Sequence, residues 1–575
     1  MKVSDYIASF LHKQEITVVF EMAGGMITHM LDSISAYNDI KIISMHHEQA
    51  ASFAADAFGR ITGRPGVALA TSGPGATNLL TGISSCYFDS TPAIFITGQV
   101  NLHEQKGDLA IRQLGFQETD IASMAAPVTK AVYRITDASQ IESVFEEAFL
   151  LTLTGRPGPV LIDIPMNIQR AEIQVNPIVY LSKVVEKSVT LTNFEQIFTL
   201  LKASAKPLLL AGGGIRASGA WSVFKKFVNA TQLPVISSLL GIDVLPRTDE
   251  NNIGFLGSYG NRWANLAVGE SDFIIVLGSR LDIRQTGADT NFFSSKTIIH
   301  VDCEIGELNN RIKNCYIVHD DLVNFLEGAL KYIDNKHISI DSFYDWKLKI
   351  KELRNTWPDT NELPNIQGIN PNVFMHKLSH NAGNIHAWIA DVGNHQMWAA
   401  QSLELLEGQR FLTSGGMGAM GYALPAGIGA CLASGKPVVV IAGDGGFQLN
   451  IQELQTIYRN NLPVKMIVIN NNNLGMIRQF QDSYFNSRYQ STFWGYTAPD
   501  FEKVAVAYGI EALTITLDEE ITHAVEWFLN DESEQKPRLL QVIVDSYANA
   551  YPKIAFGKPL TEMEPYSKPI EMEGT

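Results

Sequence analysis

The sequence predicts an α/β protein made of three doubly wound parallel-sheet domains. Three observations carry that reading. Short, β-rich apolar runs alternate with amphipathic stretches along the whole chain, the pattern of parallel strands joined by helical crossovers. The pattern recurs three times, with polar stretches between the repeats. A chain of 575 residues is also too long for one ordinary core and suits three domains of ordinary size.

The first unit, residues 1–168, carries apolar runs at 18–20, 42–44, 67–70 and 93–96 and closes on a run at 159–165. Residues 169–193 are polar and irregular and read as a linker. The second unit, 194–333, opens with the run 207–211, followed by Gly212, Gly213 and Gly214. A charged linker at 334–370 contains Pro358 and Pro364. The third unit, 371–547, carries runs at 438–443 and 463–469, with a helical pattern expected from Leu449. The tail, 548–575, holds Pro552, Pro559, Pro565 and Pro569, which excludes one long helix and suits a segment wrapped over a surface.

Composition narrows the function classes. Apolar residues make up 46% and charged residues 18%, an ordinary globular balance that excludes disorder and coiled coil. The net charge of −16 repels nucleic acid and anionic membranes, so neither is expected as a partner. The runs at 207–211 and 273–278 are too short to span a bilayer. Residues 1–13 carry Asp5 inside their apolar stretch and lack the apolar core of a signal peptide. Cys86, Cys303, Cys315 and Cys431 form no CxxC pair, so a reducing cytoplasm is expected.

Four local patterns carry chemistry. In the first, the run 438–442 ends in Gly443-Asp444-Gly445-Gly446 before a helix. Glycines there let backbone N–H groups approach an anion, and a helix N-terminus favours negative charge. Alone this is also what a tight turn looks like. The next strand, however, ends in Asn470-Asn471-Asn472-Asn473, and Asn471 follows Asp444 by one βαβ repeat. Neighbouring strands would bring Asp444 and Asn471 to one sheet edge, where a carboxylate, an amide oxygen and a backbone carbonyl suit Mg²⁺ on a diphosphate. The second pattern is His47-Glu48 at a strand-to-helix junction. An acid in a first helical turn is commonly a dipole partner. The helix that follows is small and apolar, so Glu48 is expected to be desolvated and to need a partner. The third is the turn Thr71-Ser72-Gly73-Pro74-Gly75, leading to Asn78. The fourth is the small-residue run 415–421, which carries Met417 and Met420.

Together these residues resemble the thiamine-diphosphate (ThDP) enzymes, in their acetolactate synthase-like branch. The resemblance covers nearly the whole chain in order: His47-Glu48, residues 71–75, 98–100, 155–159, 212–214, Asp391-Val392-Gly393, Gln396-Met397-Trp398, 443–445, Asn470-Asn471 and Leu474-Gly475-Met476. It implies that the three domains are pyrimidine-binding, central and diphosphate-binding. It implies a homodimer or homotetramer with ThDP between chains. By the same resemblance, Glu48 hydrogen-bonds the aminopyrimidine, Met420 bends the cofactor, and Phe116 and Gln117 face the reacting centre. Gly24, Gly25, Thr71, Pro74, Asn78, Gly393, Asn394, His395, Gly418, Gly443, Asp444, Gly445, Gly446, Asn471, Asn473, Gly475, Met476 and Ile477 are the implied ThDP contacts. Asp444, Asn471 and the Asn473 backbone are the implied Mg²⁺ ligands. Gly212, Gly213, Gly214, Gly257, Ser258, Gly278, Ser279, Arg280, Asp282, Arg284, Asp302 and Asp320 resemble flavin contacts, which implies FAD as a structural cofactor.

The departures from the synthase pattern gather where a second substrate would sit. Met166 stands for a Lys, Phe480 for a Trp, Ile283 for an Asp beside Arg284, and Asn394 for a Gln. The loop 101–115 is longer than the family's. Met166, Arg284 and Phe480 therefore outline an altered acceptor pocket. The expected function is a carboligase that decarboxylates pyruvate, a 2-keto acid, and transfers the acetyl anion equivalent to a ketone or aldehyde, such as a nucleotide-activated 4-ketosugar. The alternative is acetolactate synthase, joining pyruvate to pyruvate or 2-ketobutyrate. Flavin-linked pyruvate oxidase and a non-catalytic binding protein are further alternatives. Glu48, Asp444 and Asn471, all present, argue against the last.

Overall fold

The computed structural model describes residues 1–182, 192–338, 343–380, 382–530 and 536–570. Three six-stranded sheets form, and every strand pairing within them is parallel. The first contains β1 (Val18–Met22), β2 (Lys41–Ser44), β3 (Gly66–Ala70), β4 (Ala93–Gln99), β5 (Ala131–Arg134) and β6 (Pro159–Pro165). The second contains β7 (Pro207–Ala211), β8 (Val235–Ser237), β9 (Asn252–Phe255), β10 (Phe273–Leu277), β11 (Thr297–Asp302) and β12 (Tyr316–His319). The third contains β13 (Ala387–Ala390), β14 (Arg410–Leu412), β15 (Val438–Gly443), β16 (Val464–Asn470), β17 (Glu511–Ile515) and β18 (Arg538–Ile543).

The outer two sheets share one winding, and the central sheet has another. The first runs β2-β1-β3-β4-β6-β5 and the third β14-β13-β15-β16-β18-β17. In both, the chain turns back between the first and third strands of the unit. The second runs β12-β11-β10-β7-β8-β9, the order of dinucleotide-binding doubly wound sheets, with its reversal between β7 and β10. Ligands of open parallel sheets bind beyond the carboxyl ends of the strands at such reversals. Topology therefore marks three places on this chain.

The inner strands are buried at every position, and successive side chains enter the cores on opposite faces of the sheet. Val18 and Phe20 enter a core that continues through Val438 and Val440 of the third sheet, while Val19 faces the outer core of the first. Val439 and Ile441 face the outer core of the third. The shared core is closed by two helices, Glu48–Thr62 and Ala423–Ser434. A Cβ on Gly429 would lie 2.0 Å from the Ala54 carbonyl oxygen, so glycine lets the two backbones touch. Polar groups pin the crossing: Tyr422 Oη donates to Asp56 Oδ2 at 2.7 Å, and Arg60 bridges Asp56 and Asp89. Buried Asp243 joins the central and third sheets through Arg216 and Arg410.

Some elements differ from the sequence reading. The helix after β15 starts at Asp444 itself (Asp444–Gln448), ahead of Leu449, and a second helix follows at Leu454–Arg459. The stretch 334–370 holds a helix, Tyr344–Thr356, whose Trp346 and Ile350 are buried on the central core. The tail pairs Lys553–Ile554 with Met563–Glu564 as an antiparallel hairpin, and Ile554, Leu560 and Met563 join the same core. Part of the first linker, residues 183–191, lies outside the described residues.

Candidate functional site

Every residue singled out in the sequence lies at or beyond the carboxyl end of a strand. On the first sheet, Gly24 and Gly25 follow β1, Glu48 follows β2, and Thr71, Pro74 and Asn78 follow β3. Phe116 and Gln117 lie in the loop after β4, and Met166 follows β6. Glu48 opens its helix, where His47 accepts from the Gln49 N–H at 3.0 Å. Its carboxylate is buried, and Asn78 Nδ2 donates to Oε2 at 2.9 Å. The desolvated acid thus has the partner that its burial demands. The turn after β1 is tied to the turn after β3 by a bond from the Met26 N–H to Thr71 Oγ1. Gln117, at φ +66°, packs against Gly73, while Phe116 is 80% exposed.

The third sheet presents the other edge. Gly393, Asn394 and His395 follow β13, Gly418 and Met420 follow β14, and Gly443 to Gly446 close β15. Asn471, Asn473, Gly475, Met476, Ile477 and Phe480 follow β16. One terminal atom of the buried Asn471 amide stands 3.2 Å from Asp444 Oδ1 and 2.8 Å from the Asn473 carbonyl oxygen. With nitrogen there, the amide donates twice; with oxygen there, three oxygens converge as a hard cation requires. Among the described residues no three His, Cys, Asp or Glu side chains gather to hold a metal. One carboxylate, one amide and one carbonyl instead suit Mg²⁺, which keeps its remaining positions for phosphate oxygens and water. Burial pushes the Asp444 carboxyl up to about 7, against bonds from Tyr496 and backbone N–H groups. A cation on Oδ1 would restore the ionised form. The side-chain oxygens of Asn394 and Asn473 are buried without a hydrogen-bond partner among the described residues, so the edge has acceptor capacity to spare. These residues fit a metal-bound diphosphate.

Supports that the sequence reading did not assign complete this edge. Asp391 accepts from the N–H groups of Val392, Gly421 and Ala423 and so fixes the loop bearing Met420. Burial pushes His395 down to about 3, leaving it neutral, and its Nε2 accepts from the Gly443 N–H at 3.2 Å. Residues 546–549 brace the edge from behind. Asn473 Nδ2 donates to the Ser546 carbonyl, Asn394 Nδ2 to that of Ala548 and Trp398 Nε1 to that of Asn549. Tyr496 Oη donates to Asp444 Oδ2 at 3.0 Å. Asp391 was visible only as part of a motif, and no local pattern pointed to Tyr496.

The central sheet opens onto a cleft of about 1180 Å³, counting the part open to solvent. Gly213, Gly214, Ser258, Gly278, Ser279, Arg280, Asp282, Arg284 and Asp302 line it. Gly212, Gly257 and Asp320 do not. Gly212 is spent on packing, since a Cβ there would lie 2.0 Å from the Gly278 carbonyl oxygen. Gly257 backs onto the Arg284 carbonyl, and Asp320 bonds the Asp321 N–H. The first and third domains close the cleft with Arg156, Met397, Gly415 and Gly416, which lie in motifs noted in the sequence but were not expected at this cleft.

The three residues of the expected acceptor pocket belong to three different sheets: Met166 follows β6, Arg284 follows β10 and Phe480 follows β16. Phe480 packs against Tyr484 with the rings tilted by 48° and their centroids 4.6 Å apart. Met166 belongs to the first sheet's edge, next to Asn167, whose Oδ1 accepts from the Leu102 N–H.

Comparison with known proteins agrees with the three-domain α/β fold. Residues 1–124 match the thiamine pyrophosphate enzyme N-terminal TPP binding domain, 194–328 the central domain and 391–542 the C-terminal TPP binding domain. The acetolactate synthase large subunit of Lactococcus lactis is 36% identical over 97% of this chain and 95% of its own length. The acetolactate synthase isozyme 2 large subunit of Escherichia coli is 34% identical over 98% and 99%. The chloroplastic acetolactate synthase of Arabidopsis thaliana is 34% identical over 97% and 83%.

Proposed function

Because the chain belongs to the thiamine pyrophosphate enzymes, in their acetolactate synthase-like family, we propose that it decarboxylates pyruvate and joins the two-carbon unit to a second 2-keto acid. The relatives are named for that reaction, and none of those compared supports a ketosugar as acceptor. The expectation of a nucleotide-activated 4-ketosugar therefore gives way to its alternative. The observation that carries the proposal is the pair of matched sheet edges, with buried Glu48 on one and the Asp444–Asn471–Asn473 oxygens on the other.

When bound, ThDP supplies the nucleophilic carbon and the electron sink for decarboxylation. The chain's residues do the rest. Asp444, Asn471 and the Asn473 carbonyl would hold Mg²⁺ against the diphosphate. Glu48, steadied by Asn78, would exchange a proton with the aminopyrimidine across a site shielded from water. Met420, held by the Asp391-anchored loop, would fill the space under the cofactor. FAD is proposed for the central cleft, whose strand order and glycine turns suit a dinucleotide. We further propose a homodimer, with the Glu48 edge of one chain meeting the metal edge of its partner. Leu109, Ile111, Leu114 and Phe116 all stand exposed on the loop after β4, apolar surface that a partner chain could cover.

NMR product analysis tests the proposal, using protein loaded with ThDP and Mg²⁺ and given labelled pyruvate, with and without 2-ketobutyrate or a panel of ketones. Acetolactate, or the mixed product with 2-ketobutyrate, should dominate. A second reading, transfer to a bulkier ketone, rests on Met166 and Phe480, which remove a charge and an indole N–H. It is favoured if pyruvate alone turns over slowly and a ketone speeds its consumption. Flavin absorbance of the purified protein decides on FAD, and sedimentation decides on the dimer.

A further inference from the structure

Asp444 has two carboxylate oxygens, and the fold gives them different neighbours. Oδ1 faces the Asn471 amide at 3.2 Å. Oδ2 accepts from the Tyr496 hydroxyl at 3.0 Å. A neutral phenol has one proton to donate. Gln448 Nε2 approaches the same hydroxyl from the donor side, at 3.5 Å, and also binds the Asp444 carbonyl at 3.0 Å. The phenol proton is therefore committed to Asp444.

The segment that carries Tyr496 is itself tied to the other ligand loop. The Leu474 N–H donates to the Thr492 carbonyl at 3.0 Å, and the Ala498 N–H to Asn472 Oδ1 at 3.3 Å. Tyr489 and Phe493, just ahead of Tyr496 in the chain, pack ring against ring with each other and with Tyr547. One short segment thus touches Asp444 through its phenol and the Asn471–Leu474 turn through its backbone.

We propose that Tyr496 is a positioning residue for the metal site: it holds Asp444 Oδ2 so that Oδ1 points at the cation shared with Asn471 and Asn473. The inference rests on the metal–diphosphate reading of Asp444. Groups that orient a metal's ligands typically carry 10–100-fold of the affinity, as an order of magnitude.

The test is Tyr496→Phe in the full chain, which removes one oxygen and keeps the ring. Mg²⁺ is titrated at saturating ThDP, and binding is followed by calorimetry and by tryptophan fluorescence. The Mg²⁺ concentration for half-saturation should rise roughly 10-fold or more. Excess Mg²⁺ should restore full ThDP occupancy, and the Tm of the cofactor-free protein should not move. An unchanged Mg²⁺ requirement overturns the proposal. So does a fall in Tm with binding that excess Mg²⁺ does not rescue, because that marks a merely structural role. Asp444→Asn is run beside it. If that variant also binds ThDP with the original Mg²⁺ requirement, the metal reading itself has failed. If only Asp444→Asn loses binding, Tyr496 alone has been misassigned.

Discussion

The first and third sheets are wound alike and carry different chemistry. Each reverses between its first and third strands, and each places glycine turns at that reversal. Glu48 opens the helix between β2 and β3, and the loop bearing Met420 precedes the helix between β14 and β15. These two helices are the pair that cross at Ala54 and Gly429. A carboxylate and a thioether thus occupy equivalent places in the two halves. The comparison teaches that topology sets where a ligand goes and the turn residues set what is done to it. One edge offers a buried acid on an amide partner; the other offers oxygens for a cation and backbone N–H groups for an anion.

The sharpest way to break the comparison is Glu48→Gln. Asn78 can still donate to the amide oxygen, so the fold should stand. Turnover should fall about 10²–10⁴-fold, the span general acid–base groups contribute, with ThDP binding retained. Near-normal turnover would mean that the first edge supplies shape and no proton chemistry. The mirror experiment, Asp444→Asn, should instead weaken Mg²⁺-dependent ThDP binding by about 100-fold or more, since a ligand matters at least as much as its supports. If the two variants gave the same phenotype, the division of labour between the edges would be wrong.

Gly429→Val attacks what the halves share. The new Cβ must displace the Ala54 backbone, and overpacking of this kind costs about 1–3 kcal/mol. Thermal melting should show the loss, and both edges should loosen together. An unchanged Tm would show that the crossing gives way easily.

The smallest effect concerns a contact remote from both edges. His376 lies between Asp359 Oδ2 at 2.9 Å and Glu404 Oε1 at 3.0 Å. Burial acts to lower its pKa, but the bonds to Asp359 and Glu404 outweigh burial and raise it. A raised histidine stabilises the fold fully below its unfolded pKa of about 6.5, and that contribution fades as pH rises through the folded value. His376→Gln should therefore lower Tm at pH 6 by more than at pH 9, roughly a degree or a few apart. A pH-independent difference would mean that the imidazole is neutral in this bridge.

Much of this was legible in the sequence. The runs at 67–70, 159–165 and 438–443 became β3, β6 and β15 because strands covered on both faces read as near-continuous apolar runs, with buried Asp163 in β6 the one charged exception, held by Thr97 and Gln99. Glu48 and Asp444 could be read because the small residues around them describe turns between strand and helix. Tyr496 could not be read, because it sits in an irregular aromatic stretch 52 residues from its partner. Asp391 was seen without its task, because its bonds go to backbone N–H groups, which carry no residue identity.

The sequence by itself determined that there are three parallel α/β units and which turns carry acid, amide and glycine, because periodicity and turn chemistry are local. Strand order was left to the tertiary structure, since β2-β1-β3 and β10-β7-β8 arise from the same alternation of strand and helix. So were the meeting of Gly429 with Ala54, the support of Asp444 by Tyr496, and the closing of the central cleft by Arg156 and Gly415. Those are contacts between distant segments. Close packing decides them, because only the assembled chain has a neighbour for each buried surface and a partner for each buried polar group.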